Sequence, residues 1–185
     1  MSSLLQRIGW LKRDEDGTAV VEFALILPFL LLLFLGSIEA SSLITVDRRV
    51  NVISGTLGDL VARSEDSINN TTIQDYFTAA QKIIYPYATG ALTQAVSLVE
   101  VAANGTTKVL WSCGYNGGTA RAVDSTYTLP TKMNELARGG WIVVSLTTYN
   151  YTPVLGVIFD DVFHLTSESY YLPRFEEAIV GPGTC

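Results

Sequence analysis

A chain of 185 residues with a net charge of -6 has room for one ordinary domain plus an appendage. Its 12 Lys and Arg residues form no basic block, which argues against a nucleic-acid partner. Charged residues are only 16% of the chain against 48% apolar, and much of the apolar excess lies between Ala19 and Ile38.

The first landmark is "DEDGTAVVEFALILPFLLLLFLGSIEAS", residues 14–41. Three acids and a glycine lead into an apolar run with one carboxylate, Glu22, just inside it. From Phe23 to Ile38 only Pro28, Gly36 and Ser37 interrupt the run. Extended from Ala19 to Val46, it exceeds the ~20 residues needed to cross ~30 Å of hydrocarbon. It is apolar on every face, and the rest of the chain is too small to surround it. A membrane helix is therefore expected, with its transmembrane part at about 19–42. A secretory signal peptide cleaved near "GSIEAS" is the rival. Such a peptide places positive charge against its apolar core, whereas here Asp14, Glu15 and Asp16 stand there and Arg7, Lys12 and Arg13 lie further back. Pro28 removes a helix donor and frees the carbonyl of Ala24, so a kink is expected there. A neighbouring helix or a local adjustment would satisfy the freed group. Glu22 either has a partner in lipid or sits at headgroup depth.

Beyond the run, Val46, Val50, Ile53, Leu57 and Leu60 recur at helical spacing, with Asp47, Arg48, Arg49, Asn51, Ser54, Asp59 and Arg63 between them. One helix from about Thr18 to Ser64 is expected, on the order of 70 Å long. A separate helix after the membrane is the alternative. Gly55 and Gly58 are expected to weaken its upper part. "SEDSINN" reads as a linker into a domain over residues 65–185. Thr71 and Gln74 have capping-box spacing, Ile73, Phe77, Ala80 and Ile84 share one helical face, and Pro86 ends that helix. The period then changes. "AVSLVEVA" and "TKVLWSC" flank Asn104 and Gly105 as a hairpin, and "WIVVSLTTYNY" (141–151) and "VFHLTSESYYL" (162–172) are two more strands. A short helix is expected near Thr131–Ala137. The fold expected is α+β: a long N-terminal helix packed on a roughly four-stranded antiparallel sheet, with one further helix.

No constellation of residues supports an enzyme, a metal or a cofactor. His164 is the sole histidine and alternates with polar residues on a strand, so it is expected to face solvent. Asp160 and Asp161 lack further ligands at calcium spacing. "GYNGGTA" lacks the lysine and helix start of a phosphate loop. Asn104 opens a glycosylation sequon that the hairpin explains better. Cys113 and Cys185 have no zinc spacing. In an exported domain such a lone pair suggests one disulfide, and otherwise two unrelated thiols.

Gly17, then "TAVV", then Glu22 and Phe23, then the apolar run, resembles the class III signal of prepilins. The wider order of Asp16 and Gly17, Ala19 to Ala24, and Leu27 with Pro28 is similar to the TadE/TadF-like minor pilins, or pseudopilins, of the tight-adherence (Flp) pilus system. "VLWS", "YNYTP" and "LTSESYYLPR" extend a looser resemblance to the strand-rich part of TadE-like proteins. Thr18 at the start of the mature chain and Cys185 at the end depart from the pattern. The chain is longer than the major Flp pilin and shorter than TadG-like members. The resemblance implies that a prepilin peptidase removes residues 1–17 as a cytoplasmic leader by cutting between Gly17 and Thr18. It implies that Glu22, then the fifth mature residue, and Phe23 are assembly contacts. The implied partners are that peptidase, the major Flp pilin, a sister minor pilin and the inner-membrane assembly platform. The implied place is the bacterial inner membrane with the domain in the periplasm, and then the pilus or its tip. The implied role is assembly or initiation of a Flp (type IVb) pilus. An uncleaved, signal-anchored periplasmic binding or scaffold protein is the alternative.

Overall fold

The computed structural model describes residues 17–156, 158–182 and 185. The expected leader, apart from Gly17, lies outside them. Helix α1, Thr18–Ala62, is one uninterrupted element of 45 residues. The apolar run and the amphipathic stripe are thus parts of a single helix. It stops at Ala62, short of the expected Ser64, because Arg63 turns its N–H back to the Asp59 and Val61 carbonyls. The backbone N–H of Arg174 then takes the Ala62 carbonyl at 3.0 Å, giving this helix end a partner from the far end of the chain.

Helix α2, Asn70–Gln81, buries Ile73, Phe77 and Ala80, and a 3-10 turn over Lys82–Ile84 buries Ile84 beyond them. Its N-cap is Asn69, whose side chain accepts from the Thr72 N–H at 2.8 Å. The expected Thr71 cap is therefore corrected. "NNTT" offers several capping side chains in a row, and the first one that reaches an orphan N–H starts the helix.

Four strands follow: β1 Leu92–Val101, β2 Thr107–Tyr115, β3 Gly140–Tyr151 and β4 Phe163–Tyr171. They form one antiparallel sheet in the order β2-β1-β3-β4. The β1–β2 hairpin closes through Gly105 at φ 87°, while Asn104 Oδ1 accepts from the Thr106 N–H. A further short helix, α3, spans Thr131–Leu136. The register shifts between Leu98 and Val99, which pair with Trp111 and Val109 and leave Leu110 as an extra residue. That bulge turns Val109 to the outer face while Trp111 and Cys113 face the helices.

The helical face of the sheet carries the main core: α1 lies over β3 and β4, while Phe77 of α2 stacks on Tyr115 of β2. On the outer face Val99, Val101, Val109, Ile142 and Val144 are covered by Tyr127, Leu129, Met133 and Ala137. Where α1 meets β3, Ser54 Oγ donates to the Ser145 carbonyl at 2.8 Å and Ser145 Oγ donates to the Ser54 carbonyl at 2.7 Å. Gly58 sits against Tyr171, where an added Cβ would be 2.6 Å from the ring. Gly55 and Gly58 do not break the helix; they are where the sheet closes on it. The C-terminal tail returns to the start of the domain. Ile179 is buried, its carbonyl accepts from Trp111 Nε1 at 2.8 Å, and Val180 bridges Ser67. Cys185 is joined to Cys113, with the Cα atoms 5.3 Å apart.

Candidate functional site

The candidate site is the lower half of α1. Every residue from Gly17 to Phe34 is exposed, and the first buried side chain along the helix is Glu39. This half is long and apolar enough to cross a membrane. Above Glu39, Val46, Val50, Ile53 and Leu57 are fully buried in the domain core. One helix therefore divides into a free apolar half and a packed amphipathic half.

At its start, Gly17 is the N-cap residue, with φ -88° and ψ -14° and no side-chain cap. Among the described residues, an added Cβ there would meet nothing within 4 Å. Neither its backbone conformation nor packing against the described residues requires glycine at this position. Thr18 opens the helix, and Glu22 lies one turn above it on the same face, about 6 Å along the axis. Glu22 is exposed, and none of the ion pairs among the described residues involves it. Phe23 is also exposed. The helix continues through Pro28, which gives the Ala24 carbonyl no N–H to accept from.

Glu39, which the sequence did not single out, closes the apolar half. It is 3% exposed, and its carboxylate accepts from the backbone N–H groups of Ile158 and Phe159 at 3.2 and 3.1 Å. The β3–β4 loop is thereby drawn down the helix, so that Ile158 reaches within 3.5 Å of the Cβ position of Gly36. The hydroxyls nearby are satisfied within the helix: Ser37 Oγ donates to Phe34 O, Ser42 Oγ to Ile38 O and Thr45 Oγ1 to Ser41 O. One signal in the sequence points to Glu39, namely a carboxylate ending an apolar run, as Glu22 begins it.

The remaining candidates belong to the domain. His164 is exposed and pairs through Nδ1 with Asn150 Oδ1 at 2.7 Å. Asp160 and Asp161 are exposed, and among the described residues no group of three His, Cys, Asp or Glu side chains is placed to hold a metal. On the outer face Glu168 accepts from the Tyr127 and Tyr170 hydroxyls. Burial first, and then the bond to Glu168, pushes both phenols well above their usual range.

Residues 17–52 match the family model described as TadE-like protein. Searches of curated proteins and of solved structures give no match. The matched segment lies wholly in Gly17 and α1, covering the free apolar half and the first turns packed in the domain. The chain thus carries a TadE-like segment, consistent with a TadE-like protein of the Tad pilus system.

Proposed function

We propose that this protein is a minor pilin, or pseudopilin, that takes part in assembly or initiation of a Flp-type pilus. On this reading it is made as a precursor that a prepilin peptidase cuts after Gly17. The observation that carries the reading is the division of α1: a free apolar half within the TadE-like match continues without a break into a half buried in an α+β domain. Such a helix anchors the precursor in the membrane, with the domain beside the bilayer. Once released, it offers the same apolar surface to neighbouring helices. Gly17 supports processing in particular. The described residues place no demand for glycine at that position, and a residue without side-chain bulk suits a chain bound extended in a peptidase cleft.

The mature N-terminus tests this against the uncleaved anchor. Mass spectrometry of membrane and sheared surface fractions is expected to find Thr18 as the first residue. Gly17→Leu is expected to leave a species about 2 kDa heavier, the size of the leader. A Met1 terminus in the wild-type protein, or normal processing of Gly17→Leu, would reject the peptidase step.

A further inference from the structure

We propose that the β3–β4 loop is a second membrane contact. In it, Val154, Leu155, Ile158 and Val162 seat in the interfacial layer of the bilayer on the domain's side. The proposal rests on the reading of α1 as a membrane anchor and adds a contact that the anchor does not require. Four observations carry it. These four side chains are apolar and exposed, Val154 by 80%, within one short loop. The loop does not project into solvent but is tied to α1 by Glu39, with Ile158 against Gly36. The tie comes at the right depth. Eighteen residues of helix separate Thr18 from Gly36, about 27 Å of rise, so Gly36 lies near the far edge of a ~30 Å hydrocarbon layer entered at Thr18. Finally, Asp160 and Asp161, both exposed, directly follow Phe159. Carboxylates in that position keep the loop shallow, since a charge becomes costlier with depth.

The chemistry fits a lipid surface. The backbone N–H groups of Ile158 and Phe159, which hydrocarbon cannot satisfy, are already held by the Glu39 carboxylate. That carboxylate in turn is removed from lipid by the loop covering it. Phe159 packs edge-on to Phe163 at 5.9 Å and stiffens the descent from β4. Two contacts, a spanning helix and a shallow loop, fix the rotation of the domain about the helix axis, which a single helix leaves free. Glu39 is a positioning residue for this contact.

The test uses the full chain in phosphatidylcholine vesicles, with and without brominated acyl chains, and reads the fluorescence that each added tryptophan contributes over the wild-type protein. Leu155→Trp is the probe. Leu30→Trp reports insertion of the helix, and Val123→Trp, at an exposed turn beside β2, is the control away from lipid. The expected result is a blue shift and loss of emission at positions 30 and 155, with neither at 123. Quenching at 30 without quenching at 155 overturns the loop contact and leaves the anchor standing. Quenching at neither overturns both. Added to the Leu155→Trp protein, Glu39→Ala is expected to restore emission, while Glu39→Gln, which keeps one acceptor oxygen, preserves the quenching. Unchanged quenching in Glu39→Ala would remove Glu39 from the account.

Discussion

Two glycines one turn apart on α1 show how a single Cβ decides the fit of helix to sheet. In a helix interior, Gly→Ala gains up to ~1 kcal/mol from propensity alone. At Gly58 that gain meets the Tyr171 ring at 2.6 Å and Ser145 at 3.4 Å, and overpacking of this kind costs ~1–3 kcal/mol. Gly58→Ala is therefore expected to destabilise the domain by roughly 1 kcal/mol, the difference of the two terms. At Gly55 the nearest atom is the Tyr171 hydroxyl, at 3.2 Å and at the far end of its side chain. Gly55→Ala is expected to be neutral or stabilising by up to ~0.5 kcal/mol. Urea midpoints of the two variants check the opposite signs. On the outer face, the raised phenols of Tyr127 and Tyr170 give an alkaline signature. The folded state holds their protons more tightly than the unfolded chain does, so their stabilisation is complete below about pH 10 and is lost as pH rises above it. The Tyr127→Phe, Tyr170→Phe double variant, which cannot ionise there, is expected to lose less stability than the wild type between about pH 9 and 11. The double variant also gives up both bonds to Glu168, so the comparison is between slopes with pH and not between absolute values.

Elements were legible in the sequence where their pattern was local. Of the stripe Val46, Val50, Ile53, Leu57 and Leu60, the first four are fully buried, while Leu60 is half-buried and Val61 takes the inward place; each strand lies within a few residues of its apolar segment. What sequence could not supply was long-range. Glu39 finds its partners in Ile158 and Phe159, 119 and 120 residues away. The extra residue Leu110 is hidden because "KVLWSC" shows no break in its run. Ile179 is too isolated to read as part of an element, yet it is buried and holds the tail on Trp111. That anchor changes what the bond between Cys113 and Cys185 is expected to do. The cysteines are 72 residues apart, and closing such a loop stabilises by at most about 4 kcal/mol in the chain-entropy model. Because the tail is docked through Ile179 as well, Cys113→Ser with Cys185→Ser is expected to lower the urea midpoint while leaving the tail in place. Trp111 fluorescence would stay native-like, and only the further change Ile179→Ala would release it. Thiol labelling of the unreduced, unfolded wild type should find no free sulfhydryl, and two labels per chain would rule the bond out.

For the whole molecule, a helix that fits a single-pass anchor and also packs in a domain would serve two solvents, and the carboxylates at the ends of its apolar run differ in how they are met. Glu39 is met within the chain, by backbone N–H groups of the domain. Glu22 is exposed and takes part in none of the ion pairs among the described residues. Cleavage after Gly17 would create an α-amino group on Thr18, with a reference pKa of about 8 and hence largely protonated at neutral pH. That ammonium would lie one helical turn from Glu22 of the same chain, and equally within reach of a neighbour whose helix is staggered by one turn. In a low-dielectric assembly an unpaired carboxylate and an unpaired ammonium each cost several kcal/mol, and pairing recovers much of it. Leucine-rich surface packs without direction and tolerates slippage, so a charge pair is what would select one axial register between helices. Glu22→Gln preserves size and removes the charge. On the proposed reading the expected outcome is normal insertion and normal processing to Thr18, together with weakened entry into pili or weakened pilus initiation. Surface piliation and co-purification with the major pilin are the measurements. Wild-type levels of both in the Gln variant would reduce Glu22 to a charge at headgroup depth.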